Sequence, residues 1–453
     1  WALLAGVGPA AGVMPPERFY RFALDLYQQR SLPLARTQFD KFIELYPDHP
    51  RAGDAQYFTA ESWFREGRYG RAEAGFRRVL DHYPLSRFRP EARFHLGRCL
   101  FLTGRYAEAE TEFDAVLRHH APGALAREAL FWRAEVAYRL GRYARAAETY
   151  AAFYADHPAH AFAPDALYGR GRAEYEWARA AALGNTAAGA GAPQFRRAVE
   201  TLQTFAETYP GAELLPEAWY YRAESLAALD RGQDAVRLYR RLARKFPGHA
   251  LAPYARYGEA SVLLLLERPG EAEKILDALL RDVGKEHPLA PPVRLRLGQA
   301  LAAQDRHGEA VRAFIAVTVK HPDHDLVPRA LYAAGWSRLQ EGKPGPAVNH
   351  LQALLRAKPP EELAAQALYL IGGGFYRLER YDSAARSYRD VYTFYPRSAW
   401  AAPAVFWAGW CELKTGNHQA ALKEFEHLIN AYPASDMTAE AKVRRGDALA
   451  RLD

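Results

Sequence analysis

Two pairs of histidines have a spacing in this chain that could support metal chemistry. They occur as His157-Pro-Ala-His160 and His321-Pro-Asp-His324, and two imidazoles at this separation can bind zinc. The first histidine of each pair, however, stands directly before proline, where equivalent segments of the chain carry tyrosine. We therefore interpret it as an aromatic substitute, and we expect no metal and no other cofactor.

Known catalytic motifs are missing from the 453 residues. The sequence contains no H-E-x-x-H zinc motif, no G-x-S-x-G nucleophile turn and no phosphate-binding loop ending in Gly-Lys-Ser or Gly-Lys-Thr. The three glycines at 372–374 lie inside a helical pattern rather than after a strand. We expect that the chain is not an enzyme.

A repeated segment of about 37 residues organises the chain. The motif Tyr-x-x-Ala begins at Tyr69, Tyr106, Tyr143 and Tyr381, and looser copies fill the remaining intervals. A diverged copy at Phe195 follows an insertion of 15 residues. A fixed period of this size is typical of stacked helical hairpins, in which each hairpin packs on its neighbours. The copies predict an all-α solenoid of about eleven hairpins and a C-terminal capping helix.

Each repeat is predicted to consist of a helix A, a tight turn and a helix B. In the second copy, helix A contains Tyr57 and Ala60, Gly67 forms the turn, and helix B contains Ala72. The residue at Ala60 is small in every copy, and we call this register the small position. Two helices can approach closely only where small residues lie between them, so a leucine there would separate the hairpin. The small positions are Ala23, Ala60, Gly97, Ala134, Gly171, Ala223, Ala260, Gly298, Gly335, Gly372, Gly409 and Gly446.

The charge and amino-acid composition of the chain limit the classes of molecule that it could bind. The net charge is +7, but 53 acidic residues are interspersed with 60 basic ones, whereas a nucleic-acid surface concentrates basic residues. The longest apolar run, at 262–266, is far too short to span a bilayer. The two cysteines lie in distant repeats, which makes a disulfide between them improbable. We therefore expect neither a nucleic-acid partner nor a transmembrane span.

The pattern divides the chain into four segments. Residues 1–16 read as an apolar extension that docks on the first hairpin, or alternatively as the remnant of a signal peptide. Residues 17–177 and 194–453 carry the two parts of the repeat array. Between them, 178–193 is a Gly/Ala-rich insertion, whose first part is expected to lengthen a helix beyond Trp177 and whose remainder, 184–192, is expected to be a mobile loop.

The combined motif resembles the tetratricopeptide repeat (TPR). Arg89-Pro-Glu-Ala-Arg-Phe-His-Leu-Gly97 followed by Gly104-Arg-Tyr-Ala-Glu-Ala109 is similar to the longer-loop variety found in bacterial envelope proteins of the BamD and YbgF/CpoB type. The resemblance covers residues 17–453 and implies a right-handed superhelix. Two features depart from those families: no cysteine precedes Cys99, and no heptad pattern is present. The number of copies looks more like the TPR arms of exopolysaccharide-export machines.

The resemblance also implies where a partner would bind. In TPR folds helix A lines a concave groove, and ligand contacts come from residues two before and one after the small position. The residue three before it is aromatic in most copies, and this regularity predicts packing. The expected groove residues are Phe58, Glu61, Arg98, Trp132, Glu135, Arg172, Tyr221, Glu224, Trp336, Trp407 and Trp410. Packing of these rings within the hairpin core is the alternative.

Three functions fit this pattern. The preferred one is a non-catalytic scaffold of the bacterial cell envelope, periplasmic or associated with the outer membrane, that binds peptide segments or subunits of other proteins. The second is a periplasmic adaptor of polysaccharide export that contacts glycan through Trp407 and Trp410. The third is the helical arm of a larger peptidoglycan-cleaving enzyme. A cytoplasmic location is the alternative to the envelope.

Overall fold

The computed structural model describes residues 14–119, 123–184, 189–284 and 286–452, and the regular structure in these ranges is helical. The helices fall into two compact units, divided between Arg231 and Gly232. The first unit contains α1 (Pro16–Gln28), α2 (Leu32–Leu45), α3 (Ala52–Arg65), α4 (Tyr69–His82), α5 (Arg89–Leu102), α6 (Tyr106–His119), α7 (Ala124–Arg139), α8 (Tyr143–Asp156), α9 (Ala163–Gly184), α10 (Ala192–Thr208) and α11 (Leu215–Ala228).

The second unit contains the remaining helices. They are α12 (Gly232–Lys245), α13 (Ala252–Leu265), α14 (Pro269–Val283), α15 (Ala290–Ala302), α16 (His307–Lys320), α17 (Val327–Gln340), α18 (Pro344–Arg356), α19 (Glu361–Arg377), α20 (Tyr381–Phe394), α21 (Ala401–Lys414), α22 (His418–Ala431) and α23 (Met437–Leu449). The expected all-α solenoid, with about eleven hairpins and a C-terminal helix, is confirmed.

Within each unit, every helix packs on the next one in the chain. Odd-numbered helices, which are the A helices, also contact the next odd-numbered helix, as α3 contacts α5 and α15 contacts α17. Even-numbered helices do not contact one another in this way within the described ranges. The A helices are therefore the closer-packed layer in each unit, and a ligand that contacts several hairpins finds them side by side.

At two glycine copies of the small position, the second helix of the hairpin leaves no room for a side chain. A Cβ atom built on Gly298 would lie 2.3 Å from Cε1 of Phe314 on α16, and one built on Gly372 would lie 2.6 Å from Cε1 of Tyr388 on α20. Phe314 and Tyr388 are buried, so the added Cβ atom could be admitted only if the ring shifted. The predicted close approach is thus confirmed.

The turn between helices A and B places one residue in the left-handed region. Gly67 has φ 72°, as the sequence predicts, and Asp305 occupies the same register with φ 57°. The conformation is strained for a residue with a side chain, so the turn geometry is imposed by the hairpin and not by glycine alone.

The insertion is partly helical. α9 continues past Trp177 to Gly184, and α10 begins at Ala192, which agrees with the expected lengthening of helix A. Gly191 has φ 82°, and a Cβ atom there would lie 2.4 Å from the carbonyl oxygen of Ala178. Only glycine fits at this contact. Residues 185–188 of the predicted loop lie outside the described residues.

The first helix begins at Pro16, and the carbonyl oxygen of Met14 accepts a hydrogen bond of 3.1 Å from the Tyr46 hydroxyl. Residues 1–13, and with them most of the predicted apolar extension or signal remnant, lie outside the described residues. Across the described ranges, the helices lack the length and apolar content that a bilayer crossing would need. The thiols of Cys99 and Cys411 are buried and unpaired, and burial raises the pKa of each to about 12.

The histidine pairs have structural contacts. Nδ1 of His160 accepts the backbone N–H of Phe162 at 3.1 Å, and Nδ1 of His324 accepts that of Leu326 at 3.1 Å. His157 packs edge-on against Phe153, as an aromatic substitute would. Among the residues that the structure describes, no three His, Cys, Asp or Glu side chains are grouped as metal ligands.

Candidate functional site

Aromatic ring pairs connect consecutive A helices in both units. The later ring of each pair stands two residues before the small position of its own A helix. The earlier ring stands four residues after the small position of the preceding A helix. The ring centroids lie 5.0 to 5.6 Å apart, within the range of favourable aromatic contacts. The pairs are Tyr27–Phe58, Phe64–His95, Phe101–Trp132, Tyr175–Tyr221 and Tyr376–Trp407.

Between α15 and α17 both members of the ring pair are alanine. Ala302 stands where Phe101 stands in the third hairpin, and Ala333 stands where Trp132 stands in the fourth. The ring below them is retained, because Phe314 corresponds to Phe113. The missing rings leave a cavity of about 610 Å³, lined by Ala302, Ala333 and Phe314. We call it the α15–α17 cavity.

The wall of the α15–α17 cavity is largely apolar and comes mainly from A helices. α13 contributes Tyr257, α15 contributes Leu295, α17 contributes Tyr332 and Trp336, and α19 contributes Leu363. Trp336 is 39% exposed, although it is a large apolar side chain. Apolar walls with a few convergent polar groups are typical of binding sites for small ligands and side chains. A cavity of equal volume, about 610 Å³, on α12, α13 and α14 is lined mainly by charged residues.

The charged side chains on the wall of this cavity come from the two helices that flank it. α15 and α17 are the A helices that contain no Asp or Glu, yet together they carry four arginines. Arg338 pairs with Glu341 at 2.6 Å, and Arg294 is buried with Nη1 3.1 Å from Nε2 of His321. The other two, Arg296 and Arg329, line the cavity and have no carboxylate partner within the described ranges.

A buried hydroxyl also lines the cavity. Ser337 is 0% exposed, and its Oγ atom makes no hydrogen bond within the described part of the chain. Ser62 and Ser225 occupy the same register on α3 and α11, and their hydroxyls donate to the carbonyl oxygens of Phe58 and Tyr221 at 2.7 and 2.8 Å. A buried hydroxyl without a partner is unfavourable.

Comparison with known families decides the classification. A tetratricopeptide repeat family model matches residues 20–87, 104–164, 182–250, 231–291, 257–325 and 332–399. Two further models with the same description match residues 64–130 and 404–435. The chain belongs to the tetratricopeptide repeat family. No curated protein matches it.

Solved TPR structures resemble the chain at low sequence identity. The C-terminal part of a TPR protein from Cytophaga hutchinsonii is 15% identical with a TM-score of 0.48, covering 60% of this chain and 98% of that one. A TPR protein from Parabacteroides merdae is 16% identical with a TM-score of 0.42, covering 62% and 98%. Yeast Tom70 is 11% identical with a TM-score of 0.38, covering 96% of both chains. Because each of these TM-scores is below 0.5, the likenesses carry no argument, and the classification rests on the family models.

Four of the predicted groove residues are members of the TPR ring pairs. Phe58, Trp132, Tyr221 and Trp407 all pack against the preceding hairpin of their unit and are half-buried. This is the packing alternative that the sequence left open, and their role in binding stays a prediction. The aromatic residues three before the small position are buried at Tyr57, Phe94, Phe131 and Tyr168, as predicted. In the second unit, however, Tyr257 and Tyr332 are only half-buried and line the α15–α17 cavity.

The residue one after the small position alternates between acid and base along α3–α11, as Glu61, Arg98, Glu135, Arg172 and Glu224. The two arginines contact aromatic neighbours. Arg98 lies over the rings of Phe64 and Trp132 at 4.8 and 5.2 Å, and burial lowers the pKa of its guanidinium. Arg172 lies 4.4 Å over the ring of Tyr138. Cations over aromatic faces stabilise the contact between successive A helices.

The acidic members of this series have partners of their own. The Tyr150 hydroxyl donates to Glu135 at 2.5 Å, and burial together with this carboxylate raises the pKa of Tyr150. Glu61 pairs with Arg65 at 2.8 Å, and Glu224 lies beside Tyr220, whose pKa is raised by burial and by this carboxylate. A ligand would have to compete with these contacts.

The remaining predicted residues are the tryptophans of the second unit. Trp336 alone among the predicted groove residues lines the α15–α17 cavity, where its ring also contacts His307 at 5.7 Å. The Nε1 atom of Trp410 donates to the Tyr376 hydroxyl at 3.1 Å, and the guanidinium of Arg444 lies 4.7 Å from its ring centroid. Sequence reasoning missed the cavity itself, although Ala302 and Ala333 were readable as small residues at aromatic registers.

His95 is the histidine among the ring pairs. It stacks on Phe76 at 5.5 Å, and burial, with Arg98 and Arg65 nearby, lowers its pKa to about 3. An unfolded histidine titrates near 6.5, so the unfolded state takes up a proton first and stability falls as pH drops from about 6.5 towards 3. We predict that His95→Phe, the residue found at this register in α3, is more stable than the wild type by about 2 kcal/mol at about pH 5 and similar at pH 7.5.

Urea unfolding at the two pH values measures this difference. His82→Gln, which changes an exposed histidine on α4, is the control and should behave like the wild type. Equal pH dependence in the wild type and His95→Phe would contradict the account of His95 as a buried neutral ring.

Proposed function

We propose that this TPR chain is a non-catalytic scaffold that binds segments of partner proteins on its A helices, with the α15–α17 cavity as the principal site. The observation that carries the proposal is the replacement of a ring pair by Ala302 and Ala333. At the five ring pairs the space between successive A helices is filled by side chains of the protein itself. Here the space is open and apolar, so that a partner can supply the missing side chain.

A protein segment fits this site better than a sugar does. The glycan alternative depends on free faces of Trp407 and Trp410, but Trp407 contacts Tyr376 at 5.6 Å and Arg444 lies over Trp410. The cavity wall, in contrast, offers Leu295, Phe314 and Leu363. Aliphatic and aromatic pockets of this kind hold the anchor side chains that dominate protein interfaces.

The location that we propose is the bacterial envelope, with envelope proteins as partners. This part rests on the similarity of the Tyr-Pro and Gly-x-Tyr-x-x-Ala motifs to BamD-like and YbgF/CpoB-like repeats, and on the apolar, small-residue composition of residues 1–12. Fractionation of cells of the native host tests it. Recovery of the chain with cytosolic markers would contradict this location and leave the binding proposal intact.

Selection of peptides on the purified chain tests the binding function. We expect a phage library of random 12-residue peptides to yield binders whose affinity falls about tenfold or more on Ala333→Trp, because the new ring restores the Trp132-like filling of the cavity. Ala431→Trp, on an exposed position of α22, is the matched control and should bind as the wild type does. Thermal unfolding verifies that both variants are folded.

The same peptide selection can also overturn the proposal. If no selected peptide distinguishes the wild type from Ala333→Trp, the α15–α17 cavity is not the principal binding site. Since Ala333→Trp reproduces a side chain that the same fold accommodates at Trp132, loss of binding by unfolding is not expected and is checked by the melting temperature.

A further inference from the structure

We infer that the segment bound in the α15–α17 cavity is acidic: a large apolar side chain enters the cavity, and carboxylates next to it in the sequence bind Arg296 and Arg329. The inference rests on the proposed function of this cavity and names the chemistry of its ligand. It is carried by the charges on the cavity wall, which the binding proposal itself does not need.

The first argument is the distribution of acids on the A helices. Ten of the twelve A helices carry at least one Asp or Glu, and the two that carry none, α15 and α17, are adjacent and flank the cavity. Elsewhere in the second unit arginines are commonly paired, as Arg306 is with Glu273 at 2.7 Å and Arg240 with Glu259 at 2.7 Å. An acidic partner segment would therefore supply the carboxylates that α15 and α17 lack.

The second argument is that neither Arg296 nor Arg329 has a carboxylate partner in the described ranges. The Nη1 atom of Arg296 donates to Oε1 of Gln299 at 2.9 Å, which is a neutral acceptor, and Arg329 is exposed with no acceptor in the described ranges. Guanidinium groups form their strongest hydrogen bonds with carboxylates, often through two parallel contacts. Both arginines line the cavity beside its apolar wall, so a single ligand segment can place an apolar side chain in the cavity and carboxylates next to the arginines.

The two arguments point to the same ligand. An apolar wall together with two arginines that have no carboxylate partner in the described ranges favours an apolar residue flanked by acids.

The test reads the sequences of the peptides that the wild type selects and Ala333→Trp does not. We expect peptides with Leu, Ile, Phe or Trp next to at least two Asp or Glu. Their affinity should fall about tenfold or more on the double change Arg296→Glu and Arg329→Glu. The matched control is the double change Arg281→Glu and Arg312→Glu, which alters the net charge equally at exposed positions on α14 and α16 and should leave affinity within about twofold.

The outcomes separate the two claims. Neutral or basic peptides that depend on Ala333, or acidic ones indifferent to the Arg296 and Arg329 reversals, would overturn the inference and leave the proposed function standing. Selected peptides that do not depend on Ala333 would overturn both. Acidic peptides that bind equally well without an apolar residue would show that the arginines act alone, which also contradicts the inference.

Discussion

Gly298→Ala is expected to destabilise the chain by about 2 kcal/mol or more, whereas Gly446→Ala is expected to stabilise it by about 0.5–1 kcal/mol. Both glycines occupy the small position of an A helix. A Cβ atom at Gly298 would lie 2.3 Å from the buried ring of Phe314, but one at Gly446 would meet nothing within 4 Å. The same substitution therefore has opposite signs, because overpacking acts at one site and only helix propensity acts at the other.

Urea unfolding of the two variants and the wild type measures the difference. Gly372→Ala should resemble Gly298→Ala, since its Cβ atom would lie 2.6 Å from the ring of Tyr388. If Gly298→Ala were neutral or stabilising, the close approach of α15 and α16 would not be the reason for the small residue, and the packing account of the repeat would be wrong.

Arg389→Met is expected to destabilise the second unit by about 3 kcal/mol, because it leaves two carboxylates without their cation. Arg389 on α20 binds Glu412 on α21 and Glu424 on α22, whose side chains are 9% and 11% exposed. Burial alone would lower the pKa of Arg389, but its hydrogen bonds to Glu424 and Glu412 outweigh burial and raise that pKa. The Tyr392 hydroxyl donates to Glu424 at 2.6 Å and extends the network.

The loss should depend on pH and on the two acids. The deficit of Arg389→Met should be larger at about pH 8 than at about pH 5, since protonation removes a buried negative charge that has lost its cation. Adding Glu412→Gln and Glu424→Gln should recover most of the stability. A deficit that is unchanged by pH, or by the two glutamines, would show that Arg389 contributes through packing and not through charge.

The regular features of the fold were readable from the sequence because they recur with the period. The number of hairpins, the small position and the turn at Gly67 follow from one repeat unit, in which the contacting residues are close in sequence. Even the departure at Asp305, which takes the left-handed conformation without being glycine, follows from its register. Contacts between residues close in sequence were therefore enough to predict the architecture.

The binding site depends on contacts between repeats, and these were not readable in the same way. Phe58, Trp132 and Trp407 look like exposed groove residues when each helix is considered alone, yet each ring meets a partner about 31 residues earlier in the chain. Once that pairing is known, the two alanines at 302 and 333 identify the gap. Register alone placed Trp336 on the correct face without indicating what surrounds it.

Hydrogen–deuterium exchange of the wild-type chain with and without a selected peptide tests the central claim most directly. Binding in the α15–α17 cavity predicts slower exchange in α15 and α17, with α21–α23 and the whole first unit unchanged. Protection confined to other helices, or protection of α15 and α17 that persists in Ala333→Trp, would contradict the claim that this cavity binds the partner.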